Sequence, residues 1–297
     1  MSGAPEIPRL GTTSVAILES LHQHRLLSTD QLHALHTPES SQRFIQQILA
    51  RLREAGLASS VRLPGGLGVW HLSDRGLEAV EAIPDRAETR HKPIPPEHAA
   101  GPLQAHTLAV NEVGIAFVAA ARERGDECGP TAWRHEIAHP LGPPPGRRRS
   151  EQLIADAVLT YQLTAARKTS LHYRFIELDR ANRSSADLAA KLGRYARLYR
   201  HTVTTGRRKP VLFWTQLYPV FPTVLLVLAG RPRPVLQRRR KAVLALSGEN
   251  PDLLDTPEVE ISVCLLGDLI AEGPFAAIFH TATEPEKAVN WLGEVRS

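Results

Sequence analysis

The sequence predicts a mixed α/β (α+β) chain in two parts, a small helical front piece that ends in a hairpin and a larger α/β back piece. Three observations carry this expectation. Between Pro84 and Gln104 the composition turns proline-rich and charged, with almost no large apolar side chains, which is the signature of a linker. Ahead of it, three helical patterns precede two short strand patterns. Behind it, strand-like runs such as QLIADAVLTYQL and LHYRFIELD alternate with helical stripes. The 297 residues, 42% of them hydrophobic, suffice for one large or two ordinary packed domains. The expected division is a flexible tail over 1–12, a front domain over 13–83, the linker over 84–104 and a back domain over 105–297.

In the front piece, Thr13 to His24 carries Ile17, Leu18 and Leu21 on one side of a helix. Ser28-Thr29-Asp30 offers a cap for a short helix, Gln31 to His36, bearing Leu32 and Leu35. A third helix opens at Pro38 with Glu39 in its first turn, both favourable there. Phe44, Ile48 and Leu52 form its expected core stripe, and Gly56 ends it. LASSVRLPGGLGVWHLS then reads as strand, Pro-Gly-Gly turn and strand.

Helix, short helix, long helix and hairpin, in that order, match a winged helix-turn-helix. The third helix would then enter the major groove of double-stranded DNA, where Arg43, Gln46, Gln47 and Arg51 can read base edges. The hairpin would be the wing, with Arg62 near a phosphate. A solvated polar helix face, or a winged helix that docks proteins, is the alternative.

The back piece opens on a helix from Leu103 to about Arg124. Folding the next two strands about Arg167 brings Asp156 within one residue of the position opposite Glu177, and strand periodicity puts Glu177 and Asp179 on one face. Three carboxylates gathered at one hairpin end repel and need compensation. A bound Mg²⁺ or Mn²⁺ is one remedy, and would activate water and stabilise charge at a phosphodiester. Pairing with Arg180, Arg174 or Lys191 is the other. Ser184 and Asp187 cap the following helix, whose core stripe is Leu188, Leu192, Tyr195 and Tyr199. Lys191 lies beside that stripe, one of six lysines in a chain that otherwise prefers arginine, and its ammonium can approach the carboxylates.

An Asp in one strand, a Glu in the next and a nearby lysine resemble the PD-(D/E)xK nuclease core. More narrowly, the chain resembles the replication-relaxation family. HTLAVNEV around His106 and Asn111, the Trp133/Glu136 pair, Ala155-Asp156, and FIELDR followed by KLGRYARLY carry the likeness. The resemblance implies a PD-(D/E)xK-like back domain and an accessory, DNA-binding role in replication, relaxation or mobilisation of plasmid or mobile-element DNA. A relaxase or replication protein would be the partner. One departure matters: a strict nuclease has Lys two residues after the Glu, where this chain has Asp179. Either Lys191 substitutes from the helix, giving an Mg²⁺- or Mn²⁺-dependent endonuclease built on Asp156, Glu177, Asp179 and Lys191, or the core is a silent scaffold. A transcriptional regulator with a sensing back domain is a third reading.

Residues 135–139, His-Glu-Ile-Ala-His, match the H-E-x-x-H of zinc proteases, but Pro140 and the nearby Gly129-Pro130 oppose the continuous helix that chemistry needs. No zinc is expected. Trp133 to Pro140 reads instead as an edge strand, with Glu136 as a further carboxylate for the metal held by Asp156 and Glu177. Val211 to Thr215, Val224 to Leu228 and Val259 to Leu265 read as strands, Pro234 to Leu246 as a basic helix and Glu284 to Val295 as a closing helix.

Thirty-six Lys and Arg against 31 Asp and Glu give a net charge of +5, compatible with nucleic acid. The arginines cluster at 147–149, at 207–208 with Lys209, and at 231–240 with Lys241, a skew that coding bias toward arginine would also produce. The longest apolar run, Pro219 to Gly230, is too short for a membrane span and is broken by Pro222. The amino terminus lacks a basic start with an apolar stretch, and the two cysteines form no framework, so a reducing cytoplasm is expected.

Overall fold

A computed structural model of the chain describes residues 10–83, 102–142, 151–165, 168–204 and 209–295. The expected tail up to residue 9, most of the expected linker (84–101), the arginines at 147–149 and 207–208, and the turn at Arg167 lie outside the described residues. The architecture is mixed α/β, in two compact units divided after Ile115. That division falls inside a helix the sequence assigned wholly to the back piece.

The front unit begins with α1 (Thr12–His24), β1 (Leu27–Ser28) and α2 (Thr29–His36). Ser28 caps α2 in a reciprocal capping box with Gln31. Helix α3 (Gln42–Glu54) follows from Ser41, not from Pro38, which lies in a turn closed by Ser40 N–H on Thr37 O. It ends on Gly56 at φ +68°, where Gly56 and Leu57 donate back to Arg53 and Leu52. Strands β2 (Ala58–Arg62) and β3 (Gly68–Leu72) form the hairpin, and β1 pairs with β3 in the order β1-β3-β2.

The buried stripe of α3 is Ile45, Ile48, Leu49 and Leu52; Phe44, expected in the core, is 44% exposed. Four-residue steps overshoot a full turn by about 40° each, so a 44-48-52 series slides off the axis that 45, 48, 49 and 52 share. Helix α4 (Asp74–Glu81), unexpected from sequence, starts at Ser73, whose hydroxyl accepts from Gly76 N–H. The last element of this unit is the first half of α5 (Pro102–Arg124), so Pro102 to Gln104 are helical rather than linker. The Asn111 amide donates to Leu26 O at 2.9 Å and Gln31 donates to Leu108 O, while Leu108 packs with Leu26, Leu63 and Val69.

The second unit is built on a six-stranded sheet of β4 (Trp133–Gly142), β5 (Glu151–Ala165), β6 (Lys168–Asp179), β9 (Thr223–Leu228), β10 (Ile261–Leu265) and β11 (His280–Thr281), in the order β11-β10-β9-β6-β5-β4. Strands β4, β5 and β6 are antiparallel, whereas β9 runs parallel to both β6 and β10. As the edge strand, β4 tolerates Pro140. Between β6 and β9 come α6 (Ser185–Arg200) and a small ribbon of β7 (Thr202–Val203) with β8 (Val211–Leu212). Then α7 (Arg233–Gly248) and α8 (Pro251–Leu254) lead to β10, and α9 (Leu266–Glu272) to β11. The core under α6 and α7 gathers Phe175, Leu188, Leu192, Tyr195, Leu226 and Val243.

Two expected elements are corrected. Only Val211–Leu212 is strand; Phe213–Gln216 is a 3₁₀ turn that stacks Trp214 on Tyr199 of α6, with ring centroids 5.7 Å apart. Residues 284–295 form no helix. The Asn290 side chain accepts from the N–H groups of Leu292 and Glu294, competing with helical bonding, and Trp291 is buried against Phe117, Tyr161 and Phe275. The second unit's histidine motif is strand, so His135 and His139 do not share a helix face. His139 is buried with its Nε2 2.8 Å from the Tyr218 hydroxyl, and burial holds its imidazole below the usual pKa.

Candidate functional site

The β5/β6 ladder pairs Ala165 with Lys168 and continues to Ala157 opposite Ile176. One step further along this register, Asp156 faces Glu177. There the next main-chain donor of β6, Leu178 N–H, is taken at 2.8 Å by the Asp156 carboxylate. A side chain thus closes the ladder, which fixes the Asp156 carboxylate beside that of Glu177.

Helix α6 delivers the counter-charge. Ser184 caps it, accepting from Asp187 N–H at 3.0 Å and donating to the Asp187 carboxylate at 2.6 Å. Leu188, Leu192 and Tyr195 bury its inner face and thereby turn Lys191 toward the sheet. The Lys191 ammonium donates to Glu177 Oε2 and lies 3.7 Å from Asp156 Oδ1. One helical turn on, the Tyr195 hydroxyl donates to the other oxygen, Glu177 Oε1. Glu177 is 1% exposed, whereas the Asp156 and Lys191 side chains keep 20% and 16% of their surface. Burial, and after it the adjacent Asp156 charge, raise the Glu177 carboxyl to about 7 against the pull of Lys191 and Tyr195. The result is a buried carboxylate under a solvent-reached carboxylate and ammonium.

Asp156, Glu177 and Lys191 therefore meet as the sequence suggested, but Asp179 has a separate partner. Its carboxylate is bound by the Arg239 guanidinium of α7, which also donates to Arg183 O at 2.7 Å. Of the cations considered from sequence, Lys191 does the neutralising. Arg174 is turned toward the carbonyls of Tyr173 and Trp291. Glu136 sits on β4 between the pairs His135–Ala157 and Ile137–Ala155, hence alongside Asp156, exposed and at φ +51°. Among the described residues no group of three or more His, Cys, Asp or Glu side chains is arranged to hold a metal. Two site residues escaped the sequence reading. Tyr195 was assigned only to the core stripe, although its position four residues after Lys191 was a usable signal. Arg239 was hidden within a run of basic residues.

In the front unit, Arg43, Gln46, Gln47 and Arg51 all lie on the exposed face of α3, and Arg62 is exposed at the end of β2 beside the hairpin turn. The basic run of α7 is different in kind. Arg233 pairs with Asp268, Arg239 with Asp179 and Lys241 with Glu286, so much of its charge is neutralised within the unit. No described helix is long and apolar enough to cross a membrane.

No curated protein and no solved structure matches the chain. The replication-relaxation family profile matches residues 18–211, nearly two thirds of the 297 residues, from α1 through the acidic pair and Lys191 to β8. This span takes in both the exposed α3 face and the Asp156–Glu177–Lys191 cluster, and on that match the chain belongs to the replication-relaxation family, with the role in replication or relaxation of plasmid or mobile-element DNA that the family suggests.

Proposed function

We propose that the protein is a DNA-binding accessory factor for replication, relaxation or mobilisation of plasmid or mobile-element DNA, with the front unit acting as a winged helix on duplex DNA. The observation that carries this reading is the α3 face: Arg43, Gln46, Gln47 and Arg51 are all exposed while Ile45, Ile48, Leu49 and Leu52 anchor the opposite side. Arginine and glutamine are the side chains whose forked donors and acceptors match guanine and adenine edges. Arg62, next to the turn, supports a phosphate contact by the wing. The full chain is expected to bind duplex DNA with affinity falling steeply as salt rises. Arg43→Ala with Arg51→Ala should cost roughly 1–3 kcal/mol for each base edge that these arginines read. Salt-insensitive binding, or a double variant that binds as the parent does, would remove α3 as the reading element.

A second reading, a divalent-metal-dependent endonuclease of PD-(D/E)xK type, is favoured by one observation: Lys191 reaches Glu177 and Asp156 from α6 although the position two residues after Glu177 carries Asp179. Two neighbouring carboxylates suit a hard cation that keeps waters and phosphate oxygens as its other ligands. Asp156 and Glu177 would hold Mg²⁺ or Mn²⁺, with Glu136 nearby on β4. When bound, the ion would supply Lewis-acid stabilisation of phosphodiester charge. Lys191 would orient a water or phosphate oxygen through its ammonium, and Tyr195 would hold Glu177 in place. Incubating supercoiled and branched DNA with Mg²⁺ or Mn²⁺ separates the two readings. Cleavage by the parent that Lys191→Ala abolishes establishes the nuclease; intact DNA on every substrate leaves the accessory role.

A further inference from the structure

On α3 the apolar side chains divide unevenly. Ile45, Ile48, Leu49 and Leu52 are 0–7% exposed, whereas Phe44 is 44% exposed in the first turn of the helix. The four buried residues complete the helix's core stripe, so packing of α3 does not require an aromatic ring at this position. Phe44, Gln47 and Arg51 follow one another at i, i+3 and i+7, and Arg43 precedes the ring, so it stands among cations and amides rather than in an apolar patch. Leu67, in the hairpin turn, is the other large apolar residue of the described front unit that exposes a comparable share. A lone ring framed by guanidinium groups is poorly suited to an apolar protein surface and well suited to a polyanion.

The floor of the major groove presents one apolar group, the 5-methyl of thymine, and phenylalanine is among the side chains that take it. Residues at the amino-terminal end of a groove-entering helix are those that reach base edges. We infer that Phe44 is a specificity-determining residue that packs its ring on thymine methyl groups, so that the target of this protein contains thymine opposite the start of α3. The inference rests on the proposed DNA-binding role of α3 and names the base that role selects.

The test uses the full chain. A duplex is selected from a randomised pool by the parent protein, then resynthesised with deoxyuridine replacing deoxythymidine one position at a time, which removes only the methyl group. Uracil at one or two positions should weaken the parent about fourfold per methyl removed, the equivalent of ~0.8 kcal/mol. Phe44→Ala and Phe44→Gln should bind the thymine and uracil duplexes equally, whereas Phe44→Leu, which keeps an apolar side chain, should retain part of the preference. Melting temperatures of the variants control for folding. A parent indifferent to uracil at every position, a selected site without thymine, or a Phe44→Ala protein as sensitive as the parent overturns the assignment of Phe44 while leaving DNA binding intact. Failure to enrich any duplex instead removes the DNA-binding reading itself.

Discussion

Glu177 is the residue on which the second unit's electrostatics converge, because it is buried beside a second carboxylate and answered by one ammonium and one phenol. Its carboxyl is raised from 4.5 to about 7, so its contribution to stability is fully present below about 4.5 and is lost as pH climbs through 7. Glu177→Gln, which cannot ionise, should therefore gain on the parent between pH 4 and pH 8, by on the order of 3 kcal/mol. Denaturant melts at several pH values measure this, and stability profiles that run parallel across the range would refute the raised carboxyl. Asp179, two residues on, belongs to a different problem. Its charge is spent on Arg239 and thereby ties β6 to α7. The sequence showed three carboxylates near one hairpin end; which cation each would take depended on helices that fold back from far along the chain, and periodicity along a strand carries no such information.

At the scale of elements, local chemistry was the more legible part. The capping serines Ser28 and Ser184, the glycine stop at Gly56 and the Pro-Gly-Gly turn all stand where sequence rules put them, because each acts within four residues. The strand pair β5/β6 and the placement of Lys191 beside the α6 core stripe were legible from strand alternation and helical periodicity. The expected closing helix lost to the Asn290 turn and to the burial of Trp291, and α4 escaped notice because its eight residues make only about two turns. Residues of HTLAVNEV, read as part of the back piece, turned out to clamp the front unit through Asn111 and Leu108. Helix α4 has its own strict requirement. A Cβ at Gly76 would stand 1.9 Å from Leu57 O, a main-chain atom that cannot step aside. Gly76→Ala should destabilise the front unit by about 3 kcal/mol or more, beyond any gain in helix propensity. Thermal melts decide it, and a variant as stable as the parent would show that α4 does not press on the β2 end as described.

Across the whole molecule the charge is distributed by role. The basic groups of α7 are largely matched by Asp179, Asp268 and Glu286, while Arg43, Arg51 and Arg62 of the front unit are exposed. A chain with +5 net charge thus leaves these three front-unit cations exposed, while three of the five basic residues of α7 are paired within the second unit. This separation makes the two proposed ligand sites experimentally separable. If Asp156 and Glu177 accept Mn²⁺, the ion at a hundredfold its dissociation constant stabilises the protein by about 2.7 kcal/mol, a rise of about 5–10 °C for a unit of this size. Asp156→Asn should abolish that rise and leave duplex affinity unchanged. Arg43→Ala with Arg51→Ala should do the reverse, weakening DNA binding while the Mn²⁺ response stays whole. Calorimetry with Mn²⁺ and salt-titrated DNA binding, run on both variants, read the two effects independently. An Asp156→Asn protein that still melts higher in Mn²⁺ would rule out the acidic pair as the metal site. If the parent shows no Mn²⁺ response at all, Lys191 is the permanent counter-ion of Glu177, and the second unit serves as a scaffold rather than a nuclease.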